Sequence, residues 1–187
     1  MIKTKTALKC VAAAMTLAAG SALAQASLVS VVGPGNAPRV GDSFQVQLVG
    51  TDFSPIVGGG LNVSFSSDLF ELTSVQIDSA WSFWSDPGIA DNTLGTLTNM
   101  SFNVWGFRDG SFAIASLEFM TKATGLGSIA LSDSAVFPFA TPEATVLPVS
   151  YLGTNIQVSA VPEAGTLALM ILGLGATGLA WRRRQSV

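Results

Sequence analysis

Across residues 27–160 the apolar positions recur with a period of two. In Asp42-Ser43-Phe44-Gln45-Val46-Gln47-Leu48, Phe44, Val46 and Leu48 share one parity and Ser43, Gln45 and Gln47 the other. Leu61, Val63 and Phe65 alternate with Asn62 and Ser64, and Phe102 and Val104 with Ser101 and Asn103. Phe70 and Leu72 have the opposite parity to Val75 and Ile77, which a bulge near Thr73-Ser74 reconciles. Ala113, Ala115, Leu117 and Phe119 define one face of a long strand, and Phe112 with Ile114 indicates that its start is covered on both sides. Ile129 with Leu131, and Ile156 with Val158, give short strands. Alternation of this kind marks strands with one face in a core.

Turn residues punctuate these runs at Gly33-Pro34-Gly35-Asn36, Arg108-Asp109-Gly110 and Gly125-Leu126-Gly127. Asp109-Gly110 predicts a hairpin between strands 99–107 and 111–122. Residues 79–98 fit no strand and are expected to form a long loop with a short helix. Many short strands separated by Gly, Pro, Asn and Asp predict an all-β domain, a single β-sandwich over 27–160.

The two ends follow different patterns. Lys3, Lys5 and Lys9 precede an apolar stretch, 11–20, and then Ser21-Ala22-Leu23-Ala24-Gln25-Ala26. Basic start, short apolar core and small-x-small sites at Ala24 and Ala26 predict a secretory signal peptide over 1–26. Its apolar core is too short to span a bilayer. At the other end Val161-Pro162-Glu163 leads into 164–181, a run without charge, closed by Arg182-Arg183-Arg184. As a helix, 164–181 reaches about 27 Å, close to the hydrocarbon thickness of ~30 Å. The arginines belong on the cytoplasmic side, as an anchor, and Trp181 at the interface. The expected layout is therefore an N-terminal signal helix, a β-sandwich, and a tail over 161–187 carrying a transmembrane helix.

Charge sharpens this division. The whole chain has a formal net charge of -3, but residues 25–161 hold only Arg39, Arg108 and Lys122 against eleven acids, a balance of -8. Such a domain is kept soluble and repels phosphate backbones, which excludes nucleic acid as a partner. There is no His, and the single Cys, Cys10, lies in the signal peptide behind Lys9, in the wrong setting for a lipoprotein. Without His or a mature Cys, nucleophile–histidine catalysis and most zinc chemistry are ruled out.

The order of short polar motif, apolar span and arginine cluster over 161–184 resembles the PEP-CTERM sorting signal of Gram-negative bacteria. That resemblance implies recognition by a membrane enzyme, an exosortase, and cutting near Pro162-Glu163. It also implies transient inner-membrane anchoring followed by release to the cell envelope or extracellular matrix, in bacteria that make exopolysaccharide. Ala164 stands where the family usually has a second proline. Between the ends, Val40-Gly41-Asp42 before an alternating strand, Gly58-Gly59-Gly60 leading to Phe65-Ser66-Ser67-Asp68, and the Asp109-Gly110 turn into a long strand resemble cohesin-like and related carbohydrate-binding β-sandwiches, with jelly-roll topology implied. These matching residues are structural, so the resemblance carries no binding residue across.

The remaining candidate chemistry is sparse. Asp86, Asp91 and Asp109 could pair as glycosidase carboxylates only with a supporting motif, which is absent, so no catalytic residue is assigned. Residues 85–92 offer oxygen ligands, with Asp86 and Asp91 as weak calcium candidates, but lack EF-hand spacing; no cofactor is otherwise implied. Trp81, Trp84 and Trp105, with Phe83 and Phe107, are candidates for stacking on sugar rings; the competing reading has Trp81 and Trp84 cover an open end of the sandwich, with Trp105 on a strand face. The expected function is a non-enzymatic surface or matrix protein that meets exopolysaccharide, the alternative a cohesin-like protein–protein module.

Overall fold

The computed structural model describes residues 26–161. The expected signal helix and transmembrane helix lie outside that range. Nine strands follow in order: β1 Leu28–Val32, β2 Ser43–Phe65, β3 Phe70–Ile77, β4 Trp84–Asp86, β5 Ile89–Asp91, β6 Thr96–Thr121, β7 Gly125–Asp133, β8 Ser150–Leu152 and β9 Thr154–Val158.

Two of these strands organise the rest. β2 and β6 run antiparallel to each other over almost their whole length, yet each half belongs to a different sheet. The first half of β2 and the second half of β6 lie between β1 and β3, with β8 parallel to β1 beyond. The second half of β2 and the first half of β6 lie between β7 and the short strands β4 and β5, with β9 beyond β7. The hydrogen-bonded ladder is thus continuous, but it bends back on itself into two facing layers.

The period-two faces of 43–48 and 61–65 are as the alternation requires: Phe44, Val46, Leu48, Leu61, Val63 and Phe65 are all in the core. The expected bulge near Thr73-Ser74 is present as a register shift between Leu72 and Ser74. Three expectations need correction. First, Asp109-Gly110 makes no hairpin, because β6 passes straight through it, with Gly110 opposite Phe53 and Arg108 opposite Ile56. Gly110 does take the left-handed φ of +67° that a turn would use, but here it serves an irregular corner. Between the pairs Ile56–Arg108 and Gly58–Asn103, β6 advances five residues while β2 advances two, so residues 104–107 loop outward. The chain reverses from one sheet to the other instead of within a sheet. Second, residues 79–98 contain no helix; β4 and β5 pair with β6 there. Third, Ala113 is exposed. A register shift next to Ala113–Ala115 moves the buried parity from Phe112 and Ile114 to Ala115, Leu117 and Phe119.

The core has an aromatic cluster towards each end of the sandwich. Phe119 lies 5.6 Å from Phe44 and 5.2 Å from Phe65, with Phe70 beside them. At the bend, Phe53, Phe102, Phe112, Phe139 and Trp81 pack at centroid distances of 4.5–5.7 Å. The first cluster lies where β9 exits, since Val40 N–H donates to Ser159 and Gly41 N–H to Thr121. The second lies at the opposite end, where Ser150 N–H donates to the Ser27 carbonyl at the start of the described chain. Eight residues of β2, from Ser43 to Gly50, separate the two ends by about 25 Å.

Candidate functional site

The bend end carries most of the exposed aromatic surface. Residues 104–107 loop out because β6 is longer than its partner there, and Gly106 (φ +90°) permits the path. Trp105 is consequently 74% exposed and Phe107 59%. The Phe83 ring stands 4.1 Å from the Trp105 ring, edge to face. Trp84, the next residue, begins β4 and pairs with Asn103; its ring, about half exposed, lies 5.9 Å from Phe137.

Between Trp84 and Phe137 the surface is notched. The depression, about 260 Å³, is lined by Trp84, Val136, Phe137, Pro138, Asn103 and the glycines of β2. Its far wall, residues 134–140, is held by an ordered set of contacts. Ala140 exchanges backbone bonds with Val57 and Gly58, continuing the sheet past the end of β7. Asn62 accepts from Asn99 N–H at 2.8 Å and donates to the Asp133 carbonyl at 2.7 Å. Ser134 Oγ donates to Asn99 Oδ1 at 3.1 Å and accepts from Phe137 N–H at 3.2 Å. Gly59 and Gly60 allow the close approach: a Cβ on Gly59 would fall 2.7 Å from the Phe139 ring, and one on Gly60 2.8 Å from Phe137 Cβ. Beneath lies Ser101, buried and with its hydroxyl lacking a hydrogen-bond partner.

Trp81 is placed differently from its two neighbours in the aromatic set. It is 3% exposed, donates from Nε1 to the Ala113 carbonyl at 3.0 Å, and lies against Phe102 and Phe112. The Arg108 guanidinium covers it at 5.3 Å from the ring centroid. Trp81 therefore closes the core and offers no face to a ligand, whereas Trp84 and Trp105 do.

Asp86 and Asp91 serve their own turns. Asp86 accepts from Gly88 N–H at 2.8 Å; Asp91 accepts from Thr93 and Leu94 N–H at 2.8 and 3.0 Å. Among the described residues no three His, Cys, Asp or Glu side chains gather where they could hold a metal. The titratable group most displaced from its ordinary value is the Tyr151 phenol, pushed well up first by burial and then by its hydrogen bond to Asp133. Of the residues singled out at the ends, Ala26 and Val161 are described and both are exposed; Ala24, Pro162, Glu163, Arg182, Arg183 and Arg184 lie outside the described range.

Sequence reasoning passed over Val136, Phe137, Pro138 and Phe139. The available signal was a Phe-Pro-Phe run with no alternation, flanked by Ser134 and Thr141, in a segment too apolar for an ordinary loop.

Residues 160–184 match the PEP-CTERM protein-sorting motif. No curated protein sequence matches the chain. The fold is similar to that of cohesin modules. A type I cohesin from Pseudobacteroides cellulosolvens aligns with TM-score 0.59 and 18% identity, covering 74% of this chain and 96% of that one. A non-cellulosomal cohesin from the archaeon Archaeoglobus fulgidus aligns with TM-score 0.59 and 13% identity, over 75% and 96%. A type I cohesin–dockerin complex from Clostridium thermocellum gives TM-score 0.57 and 10% identity, over 72% and 99%. The chain thus carries a PEP-CTERM sorting motif behind a β-sandwich of cohesin-like fold.

Proposed function

We propose that this protein is a non-catalytic module, exported and sorted to the cell surface through its 160–184 motif, that binds another surface protein through the notch between Trp84 and Phe137. The observation that carries this reading is the position and chemistry of the notch: apolar, bounded by exposed aromatics, and at the end of the sandwich away from the sorting motif. Exposed aromatic patches of this kind mark interaction sites. Few polar groups converge there, which suits an apolar side chain of a protein better than a sugar ring, whose hydroxyls need partners. Cohesin folds occur in complexes with dockerins, a further reason to favour a protein partner. Asp78, Asp86 and Asp109 outnumber Arg108 around the bend and leave a negative rim, so a basic partner is favoured and binding weakens with salt.

Immobilised protein and envelope extract of the producing organism test this. Wild type captures one discrete protein that free polysaccharide does not displace, and Trp84→Ala or Phe137→Ala loses it. Equal capture by the variants would overturn the reading. Sorting is tested by the intact mass of surface-extracted protein, where Pro162→Ala with Glu163→Ala retains the tail if cutting occurs near that pair.

The second reading, exopolysaccharide binding, is favoured by one feature, the exposure of the Trp105 ring. It predicts retardation of wild type in a gel containing the producer's polysaccharide, lost in Trp105→Ala.

A further inference from the structure

The floor of the notch holds a group that the fold leaves idle. Met100 and Phe102 are both in the core, so the alternation of β6 turns the side chain of Ser101, between them, to the opposite face. On that face Ser101 lies across from Gly60 of β2 and Asp86 of β4, and the next row is Gly58, Asn103 and Trp84. The two glycines carry no side chain, so a recess opens beside Ser101 and Asn103, with Phe137 over Gly60 on one side and Trp84 on the other. Ser101 lines this recess, is 1% exposed, and has no hydrogen-bond partner for its hydroxyl. Buried hydroxyls in folded proteins are nearly always paired. The fold itself gains nothing from this one, which points to a group supplied from outside.

The lining decides what that group can be. Trp84, Val136, Phe137 and Pro138 offer apolar area, and no charged side chain lines the notch. Asp86, one strand away, is turned to the Gly88 N–H of its own turn. The negative rim therefore acts around the notch and not within it. A lysine or arginine head brought to Ser101 would lose its water without gaining a carboxylate. An aliphatic or phenyl side chain would cover the apolar walls and leave the hydroxyl unmatched. A phenol does both: its ring lies on the apolar walls, and its hydroxyl meets Ser101 Oγ as donor or as acceptor. Tyrosine is also among the residues that carry most of the binding energy at interfaces. The one tyrosine of this chain, Tyr151, donates to Asp133 at 2.8 Å, so the phenol comes from a different protein.

We infer that the notch is a receptor for a tyrosine side chain of the partner protein, with the ring against Trp84 and Phe137 and the phenol hydrogen-bonded to Ser101. This rests on the notch as the docking site, and the test separates the two. The full chain, labelled with 5-fluorotryptophan and held in detergent, is titrated with N-acetyltyrosinamide or N-acetylphenylalaninamide. Fluorine resonance is the readout, the Trp84 line being the one missing from Trp84→Phe. Both probes shift that line, and the tyrosine probe binds roughly two- to tenfold more tightly, the worth of one net hydrogen bond. Ser101→Ala removes the preference while its urea midpoint is no lower than that of wild type, which separates a lost contact from a lost fold. Equal binding of both probes by wild type, a preference that survives in Ser101→Ala, or no shift of the Trp84 line with either probe overturns the inference. The docking reading is judged separately by capture from envelope extract: it stands if Trp84→Ala and Phe137→Ala lose the captured protein, and falls, taking the tyrosine receptor with it, if they keep it.

Discussion

The two ends of the sandwich are built from the same two strands and do opposite things with them. At the β9 end, the start of β2 pairs with the finish of β6 without a break from Ser43 to Leu48, and the aromatics Phe44, Phe65 and Phe119 of these strands, with Phe70 of β3, are all buried. At the bend end the two strands part company by several residues. The surplus of β6 is pushed outward as Trp105 and Phe107, while Trp81 and Phe139 close the core behind it. Regular alternation there carries every second side chain into the interior. A sheet-to-sheet corner has unequal inner and outer path lengths, and the excess chain becomes surface. The exposed aromatics are therefore a product of the corner, carried on a base whose own aromatics are buried.

The largest way to break this comparison is at the regular end. Phe119→Ala should cost about 3–5 kcal/mol in urea unfolding, because its ring is fully buried among three others. Next is Gly60→Val, which drives side-chain atoms into Phe137 and the Met100 carbonyl; overpacking of this sort costs about 1–3 kcal/mol. It should also abolish partner capture, since it displaces the wall of the notch. Trp105→Ala and Trp84→Ala belong to the opposite class. Each should change stability by less than about 1 kcal/mol, as exposed positions do, and any loss should appear in binding instead. Ser101→Ala should be neutral or stabilising by up to about 1 kcal/mol, because it removes a buried hydroxyl that has no partner.

The smallest effect is visible only in alkali. Tyr151 holds its proton more tightly folded than unfolded, so its contribution to stability is complete below the unfolded value of 10.0 and is lost as pH rises beyond it. As it is the single tyrosine of the chain, phenolate absorbance reports it directly. At pH 10 folded protein should show less phenolate than unfolded protein, which has about half its full signal, and Tyr151→Phe should remove that part of the alkaline destabilisation.

Residues 43–48 and 61–65 were legible because one face is buried and one solvated along their whole length, so sequence parity and geometry coincide. The corner was not. A left-handed glycine after Asp is the mark of a tight hairpin, but Gly110 uses the same backbone state inside an unbroken strand, and only the length of the facing strand distinguishes the two. Ala113 was assigned inward because a single bulge inverts the parity on one side of it. β4 and β5 escaped because three-residue edge strands with exposed side chains leave no alternation to read. For the site, Trp84 and Trp105 stood out by residue type. Their separation from Trp81 depended on a hydrogen bond to Ala113, and the notch on glycines 58–60 meeting residues 137–140 from far along the chain. Pairings of that range have no local signature.

The bonds between Pro38, Val40 and Ser159 join positions about as far apart in sequence as the domain allows. A chain that is threaded through a pore starting from its N-terminus delivers β1, β2 and most of β6 long before β9 arrives. The closing contacts cannot form until the final strand has emerged, and topologies this non-local fold slowly. Until then the incomplete β-sheet presents open edges to any binding helper in the compartment it enters. Completion of the fold therefore waits on the last strand, and the residues directly behind that strand carry the sorting motif.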